Sequence, residues 1–514
     1  LSMPNKLLPF IASLAIALGA AIASADVSTP SIFGDHMVLQ RNHPNLVWGW
    51  ANPGEKVVAT IAGQSHATKA DSNGDWKITL EPLPAGGPHS MMIKGQNTLS
   101  YADVLIGEVW ICSGQSNMQW PVSNSYDGDL VAATANSSQI RLISVPQVGT
   151  QEPQKDFDGQ WERCSPKTVS NFSAVGYRFG LQLQQVLGVP VGLIDNAWGG
   201  SAAEAWVRRD ILESDKRYAQ LIEDWEKTES EYDIEKETAD YQAKLKTWNA
   251  DGEKDQRPRE PRNPLTGNHR PANIYNGVLK PTIGYGIKGA IWYQGESNAS
   301  RAYQYRHLFP LMIQSWRDEW GQGDFPFYYV QLADFTEMVS EPGDSDWAEL
   351  REAQTMTMDA LENTGQAVII DVGEGRDIHP RDKHTVANRL ARWALAKDYE
   401  IDIVHQSPTY KSKKIRGSKV TLSFDHVGQG LYSFDTREPV GFSIAGKDKT
   451  FFWAQARIVG KNTIEVWSDA IVTPVAVRYA WANNPDCNLF SRDGLPATPF
   501  RTDDWPGITI DNHK

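Results

Sequence analysis

The sequence has few cysteines, fewer basic than acidic residues and, after its first 25 residues, no long hydrophobic run. Three cysteines in 514 residues are too few for a disulfide framework, although a bridge between Cys164 and Cys487 is possible. The net charge of −13 argues against binding to nucleic acid and gives no reason to expect an anionic membrane partner. No spacing of cysteine and histidine is typical of a metal site, so we expect neither a metal nor a cofactor.

The first 25 residues have the pattern of a secretory signal peptide. Lys6 supplies a short basic region, residues 7–22 are apolar, and Ala23-Ser24-Ala25 is a small-residue cleavage site. A membrane anchor is the alternative, but the strongly apolar core is short and has no basic residues after it. We therefore expect a mature chain that begins near Asp26 and is secreted or periplasmic.

The remaining chain changes its pattern twice. Residues 26–103 contain short strands separated by turns, which is typical of a β-sandwich. Residues 104–400 alternate strands with helices, which predicts an α/β domain with a doubly wound parallel sheet. Within it, residues 207–262 are rich in charge and predict a helical insertion whose apolar stripe packs on the domain. Short strands return in residues 401–514 and predict a second β module.

One stretch at the start of the α/β region is the strongest candidate for chemistry. Residues 104–106 and 109–111 are the bulky and β-branched residues of a buried strand, which breaks at Ser113-Gly114. A serine just after such a strand, here Ser116, lies where open α/β sheets place ligands and nucleophiles. The alternative is that Ser116 is only the N-cap of the helix that follows.

Three later loops carry the other groups that a serine nucleophile needs. They are Gly199-Gly200-Ser201, residues 294–298, and the loop with Asp377 and His379. The carboxyl ends of parallel strands converge on one crevice, so these loops are expected to meet Ser116. A base, an acid that orients it and N–H donors for an oxyanion together predict acyl transfer through a covalent intermediate.

These motifs resemble the sialate O-acetylesterase family, which belongs to the SGNH hydrolases. The resemblance also includes residues 33–41, 479–485 and 494–497, and so spans almost all of the mature chain. It implies an SGNH-type sheet flanked by two β modules, and an exported, metal-free carbohydrate O-acetylesterase. Ser116 would be the nucleophile and His379 the general base.

The resemblance also implies a set of oxyanion donors. They are the backbone N–H of Ser116, a backbone N–H of Gly199 or Gly200, and the side-chain amide of Gln294, with Asn298 in reserve. Many SGNH enzymes have an asparagine where this chain has Ser297, which is why Gln294 is preferred. Glu296 is expected to brace this loop beside the substrate.

The acid that orients His379 is open between three possibilities. The usual SGNH pattern places an aspartate three residues before the histidine, but that position is Arg376 here. Asp377, two residues before, is the preferred candidate and Asp371, at the end of the preceding strand, is its competitor. A Ser116–His379 dyad without an acid is the third possibility.

The substrate is expected to be an acetylated sugar, held by aromatic side chains. Trp120, Trp198, Trp292 and Tyr293 are candidates for a rim that stacks on sugar rings, with packing in the core as the alternative. The resemblance implies O-acetylated sialic acid or an acetylated plant cell-wall polysaccharide such as xylan or xyloglucan. A non-catalytic carbohydrate-binding protein and a general lipase or arylesterase are the alternatives, and the oligomeric state is left open.

Overall fold

The computed structural model describes residues 26–513, so the predicted signal peptide lies outside the described residues. The first part of the chain consists of strands: β1 (Val38–Gln40), β2 (Asn45–Trp50), β3 (Lys56–Ile61), β4 (Gln64–Lys69), β5 (Asp75–Leu80), β6 (Gly86–Lys94) and β7 (Thr98–Gly114). The strand pairs β3–β4, β3–β6, β6–β7 and β2–β5 are antiparallel, which confirms the predicted β structure.

The strand β7 joins this part to the next, so the predicted boundary between residues 103 and 104 falls inside one strand. Its first half pairs with β6, and its second half enters a parallel sheet. The two halves meet at Asp103, where φ is +57°. The Asp103 carboxylate accepts hydrogen bonds from Arg141 and Arg163 at 2.9 and 2.8 Å, which hold this bend against the α/β part.

The central part alternates helices with strands. Its elements are α1 (Ser116–Gln119), α2 (Gly128–Thr134), β8 (Ile140–Ser144), β9 (Glu162–Arg163), α3 (Pro166–Val169), α4 (Ala174–Leu187), β10 (Val191–Asp195), α5 (Arg209–Glu213), α6 (Ala219–Glu231), α7 (Ile234–Ala250), β11 (Gly289–Tyr293), α8 (Ala302–Trp320), β12 (Phe327–Val330), α9 (Asp346–Ala360), β13 (Thr364–Ala367) and α10 (Lys383–Asp398).

Six strands form the predicted parallel sheet, in the order β8-β10-β7-β11-β12-β13, and β9 pairs antiparallel with β8. After β7 the chain forms β8 and then returns to form β10 between β8 and β7, and it next crosses to the other side of β7, where β11, β12 and β13 follow outward. Successive side chains of a strand point to opposite faces, so Val109 and Ile111 belong to one core while Trp110 and Cys112 belong to the other. Helices cover both faces, as a parallel sheet requires.

Two predicted elements differ from the structure. The last strand was expected over residues 367–372, but β13 ends at Ala367 and the next residues leave the sheet. Val368 and Ile370 pack instead in the core of the carboxyl-terminal part. In the insertion, Leu212 and Leu221 are buried as predicted, whereas no side chain of α7 is buried, so the apolar stripe packs on the domain only in its first half.

The carboxyl-terminal part consists of β14 (Thr409–Arg416), β15 (Lys419–Asp425), β16 (Leu431–Ser433), β17 (Phe442–Ala445), β18 (Phe451–Trp453), β19 (Gln455–Gly460), β20 (Thr463–Trp467), β21 (Ala476–Tyr479), β22 (Leu489–Ser491) and β23 (Phe500–Arg501). Two four-stranded antiparallel sheets, β14-β15-β20-β19 and β18-β17-β21-β23, share one core. Cys112, Cys164 and Cys487 are all unbridged. Within residues 26–513, no helix is both long and apolar enough to cross a membrane.

The buried side chain of Arg351, on α9, fastens the carboxyl-terminal part to the sheet. Its guanidinium donates hydrogen bonds to the carbonyls of Leu332 and Ala333 at 2.9 and 2.7 Å. It also donates to the carbonyls of Ala482 and Asn483 at 2.6 and 2.8 Å. Burial lowers the pKa of Arg351 to about 10, so the side chain stays charged at neutral pH. One side chain therefore satisfies four carbonyls from two parts of the chain.

We expect Arg351→Leu to lower the free energy of unfolding by about 3 kcal/mol or more, because each carbonyl left buried and unpaired costs about 1–3 kcal/mol. Chemical denaturation of the folded variants measures this. Arg457→Leu, a change at an exposed arginine on β19, is the matched control. A loss for Arg351→Leu no larger than that of the control would show that this link is unimportant.

Candidate active site

Ser116 lies just after the carboxyl end of β7. On one side of this strand lie β10 and β8, and on the other side lie β11, β12 and β13. The turn before Ser116 requires glycine, because Gly114 has φ of +130° and an added Cβ would lie 2.2 Å from the Tyr293 carbonyl oxygen. Gln115, with extended backbone, is the N-cap of α1, and Ser116 is the first helical residue. The alternative interpretation of Ser116 as the N-cap is therefore wrong, and its hydroxyl is available for another role.

His379 lies on the loop between β13 and α10 and faces this serine. Its Nε2 is 2.9 Å from the Ser116 Oγ, which is hydrogen-bonding distance. The imidazole stacks on the Trp120 indole, with ring centroids 4.6 Å apart and planes 14° apart. Burial lowers the pKa of His379, and the charge of Lys383 lowers it further, against an opposing effect of Asp377. A neutral imidazole is able to accept the serine proton.

The structure separates the two candidate acids. Asp377 Oδ1 is 3.3 Å from His379 Nδ1 and also accepts the His379 backbone N–H at 2.9 Å. Asp371 instead binds Arg389, which donates to its two oxygens at 2.5 and 2.7 Å. The side chain of Asp377 is 52% exposed, so water screens its charge. Asp377 is thus the carboxylate beside the imidazole, at a distance longer than a strong hydrogen bond.

Two of the expected oxyanion donors are placed close together. As the first residue of α1, Ser116 has an N–H that no carbonyl within the helix can accept. Gly199 is adjacent, since a Cβ added to it would lie 3.4 Å from the Ser116 Cβ. Its N–H donates to the Gln119 side-chain oxygen at 2.8 Å. The carbonyl of Gly200 accepts a hydrogen bond from the Ser297 hydroxyl, which fixes this turn.

The expected amide donors, Gln294 and Asn298, both donate hydrogen bonds elsewhere. Gln294 is fully buried, and its Nε2 donates to the Ser201 carbonyl at 3.1 Å and to the Asn298 Oδ1 at 2.6 Å. The Asn298 Nδ2 donates to Glu204 at 2.9 Å. Both hydrogens of the Gln294 amide are used, so the prediction that Gln294 is an oxyanion donor is wrong. The Asn298 amide uses one of its two hydrogens on Glu204 and is 1% exposed, and it does not line the pocket at Ser116, so its reserve role stays a prediction. Their hydrogen bonds hold the loop after β11 against residues 201–204.

Of the residues predicted to contact the sugar, only Trp120 lines the pocket at Ser116. Trp292 and Tyr293 have no exposed surface and pack in the two cores of the sheet, so the prediction that they stack on sugar is wrong. Trp198 is half-buried against the core. Glu296 is half-buried, and its Oε1 accepts a hydrogen bond from Asn117 at 2.7 Å, so it contacts the loop rather than the pocket.

The pocket has a volume of about 650 Å³. Besides Ser116, Trp120 and His379, its lining includes Asp195 and neutral polar side chains at Gln119, Ser144, Gln147 and Asn171. Burial raises the pKa of Asp195 to about 7. Hydroxyl, amide and carboxyl groups beside an aromatic ring are groups that bind sugar hydroxyls and ring faces. Within residues 26–513, no group of three or more metal-binding side chains occurs.

Sequence reasoning missed three residues near His379 and Ser116. The side-chain oxygen of Gln119 accepts a hydrogen bond from the Gly199 N–H. Asn117 donates a hydrogen bond to the carbonyl of Ile378 at 3.0 Å, and Lys383 donates one to Asn117. Asn117 and Gln119 lie next to the recognised serine, so helical periodicity after Ser116 was an available signal. Lys383 had none, because a lysine at the start of a helix is most often exposed.

Comparisons with known proteins identify the family of this chain. A family model described as carbohydrate esterase, sialic acid-specific acetylesterase, matches residues 106–256 and 271–392. The chain is 30% identical to the sialate O-acetylesterase of Mus musculus, covering 91% of this chain and 93% of that protein. It is 29% identical to the human sialate O-acetylesterase, covering 93% of each.

A solved structure is also similar along nearly the whole length. It is a carbohydrate acetylesterase from Xanthomonas citri, with 38% identity and a TM-score of 0.80. The match covers 93% of this chain and 100% of that one. The similarity therefore includes both β parts as well as the α/β part.

We expect Asp377→Asn to slow p-nitrophenyl acetate hydrolysis at least about tenfold, because the amide can stabilise the wrong imidazole tautomer. Asp371→Asn, the matched control, removes a partner of Arg389 and is expected to lower the melting temperature with little effect on the rate of the folded enzyme. A large rate loss confined to Asp371→Asn would show that Asp371, and not Asp377, orients His379. Equal, small losses would favour a dyad of Ser116 and His379.

Proposed function

We propose a Ser116–His379–Asp377 mechanism for this chain, which belongs to the carbohydrate esterase family of sialic acid-specific acetylesterases. The protein is a carbohydrate O-acetylesterase, a hydrolase that removes acetyl groups from sugars. The observation that carries the mechanism is the 2.9 Å contact between Ser116 Oγ and His379 Nε2 at the carboxyl end of the central strand. The steps follow from that contact.

In the first half-reaction, Ser116 Oγ attacks the carbonyl carbon of the acetyl ester while His379 Nε2 takes the hydroxyl proton. The tetrahedral intermediate then collapses. The bond between the acetyl carbon and the sugar oxygen breaks, and the imidazolium returns its proton to that oxygen. The products are a free sugar hydroxyl and an acetyl ester on Ser116.

In the second half-reaction, neutral His379 removes a proton from water, and the resulting hydroxide attacks the acetyl-Ser116 carbonyl. Collapse of this second intermediate releases acetic acid and returns the proton to Ser116 Oγ. Asp377, next to the Nδ1 side of the ring, favours the tautomer that leaves Nε2 free.

The oxyanion of both intermediates needs N–H donors that are free when it forms. We assign this role to the backbone N–H groups of Ser116 and Gly199. Because Gln119 holds the Gly199 N–H at 2.8 Å, its exposed side chain has to swing away as the acetyl group enters. An exposed glutamine can do this at little cost.

The same geometry supports placing the α/β part among the SGNH hydrolases. The serine follows β7, the strand at which the chain switches from one side of the sheet to the other. The histidine comes from the loop before the last helix of this part. Both are strand-end positions that an open α/β sheet offers to a catalytic site. The amide of Gln294, whose two hydrogens are both used inside the protein, is a departure from the pattern that the resemblance implied.

Ser116→Ala is expected to lower acetate release from an acetylated glycan and p-nitrophenyl acetate hydrolysis by about 10³-fold or more, as losses of a nucleophile do. Its melting temperature should stay close to that of the unchanged protein. Ser123→Ala, at an exposed serine in the next turn, is the control. If Ser116→Ala retained most of the activity, the acyl-enzyme mechanism would be wrong.

The pocket favours an uncharged acetylated sugar over a sialic acid. Its described lining includes Asp195 but no lysine or arginine. Because the pKa of Asp195 is raised to about 7, the group is protonated at pH 6 and mostly ionised at pH 8. An ionised Asp195 repels the carboxylate of a sialic acid and can accept a hydrogen bond from a neutral sugar. We propose that acetylated neutral glycans are the better substrates.

The ratio of kcat/KM for an acetylated neutral glycan to that for 9-O-acetylated sialic acid is expected to rise roughly fivefold between pH 6 and pH 8, as repulsion between partly screened charges predicts. The titration of His379 affects both substrates and cancels in the ratio. In Asp195→Asn, the ratio should be independent of pH. A ratio below one, or one that does not change in the unmodified enzyme, would refute this preference.

A further inference from the structure

A lysine with no exposed surface lies behind the catalytic histidine. Lys383 is the first residue of α10 and is 0% exposed. Its Nζ donates a hydrogen bond to the Asn117 Oδ1 and lies 5.4 Å from the Tyr293 ring and 5.8 Å from the Trp120 ring. Within residues 26–513, Lys383 forms no ion pair with a carboxylate. A buried ammonium without a paired carboxylate is costly, so its position calls for a functional reason.

Asn117 connects this lysine to the loop that carries His379. Its Nδ2 donates to the Ile378 carbonyl at 3.0 Å and to the Glu296 Oε1 at 2.7 Å. Ile378 directly precedes His379. Asn117 is 1% exposed, so water does not compete for these hydrogen bonds. The Lys383–Asn117–Glu296 network therefore joins the segments that follow β7 and β11 to the His379 loop and the start of α10, at the place where the histidine must be held.

The charge of Lys383 acts on His379 as well. Trp120, whose ring lies near Nζ, is stacked on the imidazole, so the buried ammonium and the half-buried ring that takes the proton lie in one cluster. After burial, this charge is the largest cause that lowers the pKa of His379. A second positive charge on the imidazole is thereby disfavoured. The histidine is kept ready to accept a proton and to give it up to the leaving sugar.

Other charged groups that act on this cluster are carboxylates. Glu296 comes from the loop after β11, Glu374 and Asp377 from the histidine loop, and Asp382 from the N-cap of α10. All four favour the charged form of Lys383, but burial outweighs them and lowers its pKa to about 7. Among them, Asp377 also opposes the effect of Lys383 on His379. In the acidic range where His379 titrates, Lys383 is charged.

We propose that Lys383 is a positioning residue of the esterase, which orders the His379 loop through Asn117 and, by its charge, keeps the imidazole unprotonated in mildly acidic solution. This inference rests on the proposed function, because it concerns the group that activates Ser116. It adds a role for a residue that touches neither substrate nor the reacting atoms.

The test uses diisopropyl fluorophosphate, which reacts with an activated serine. The Ser116 Oγ forms a bond to phosphorus, fluoride leaves, and His379 takes the proton. The second-order rate of adduct formation, measured by intact mass against pH, follows the unprotonated fraction of His379. In the unmodified protein, the midpoint is expected below 6.5, the ordinary histidine value.

Lys383→Gln removes the charge, and its amide can still donate to Asn117. We expect its midpoint to move upward by roughly half a pH unit or more, since loss of a nearby positive charge stabilises the imidazolium. Lys383→Met, which has a similar shape and no charge to bury, is the second variant if the glutamine is not tolerated. Lys397→Gln, at an exposed lysine in the last turn of the same helix, is the control and should leave the midpoint unchanged.

The outcomes separate the two proposals. If the unmodified protein formed no adduct on Ser116, the proposed mechanism would fail. If the adduct formed, but both Lys383 variants kept the midpoint of the unmodified protein or moved it downward, the mechanism would stand and the role of Lys383 would be overturned. An equal upward shift in Lys397→Gln would also overturn this role, because the shift would then come from the net charge of the protein and not from the position of Lys383.

Discussion

The pairing of β7 on both sides is the constraint on which the site depends. Its residues 108–112 pair with β10 and residues 110–114 with β11, and every residue from Val104 to Gly114 is buried. The strand cannot slide against its neighbours without moving each of these side chains to the wrong face. Its end is therefore fixed, and Ser116 is held two residues beyond it. A nucleophile needs such a rigid position, because small errors in geometry cost much of the rate.

Sequence reasoning reached the parallel sheet, the antiparallel β parts at both ends and the meeting of Ser116 with His379. These conclusions depend on local signals. Hydrophobic runs bounded by glycine mark strands, and the ends of parallel strands share one edge. The strand expected over residues 367–372 shows the limit of such signals. Val368 and Ile370 are apolar for a different reason, since they pack in the core of the carboxyl-terminal part.

The side-chain predictions that failed share a physical cause. A motif shows which residues follow a strand, but it does not show where each side chain points. Trp292 and Tyr293 belong to opposite faces of a sheet covered on both sides, so both are buried. The amide of Gln294 is likewise committed to Ser201 and Asn298. The first of these partners is more than 90 residues away, and pairing at that separation is set by tertiary structure.

The charges of the site divide into two kinds. Each oxygen of Asp371 accepts a hydrogen bond from Arg389, and it is Asp377 that lies beside the imidazole, so Asp371 has its partner in the fold and not in the site. Asp377 is half-exposed and screened by water, and it raises the pKa of His379 by its charge and then by its hydrogen bond, against the larger effects of burial and Lys383. Lys383 is the reverse, buried and unscreened, and acts on His379 by its field. An exposed acid at Nδ1 and a buried cation near the stacked Trp120 act on the histidine in opposite directions, and burial together with the cation lowers its pKa and favours the neutral form. This balance suits a base that must take a proton and return it twice in each turnover.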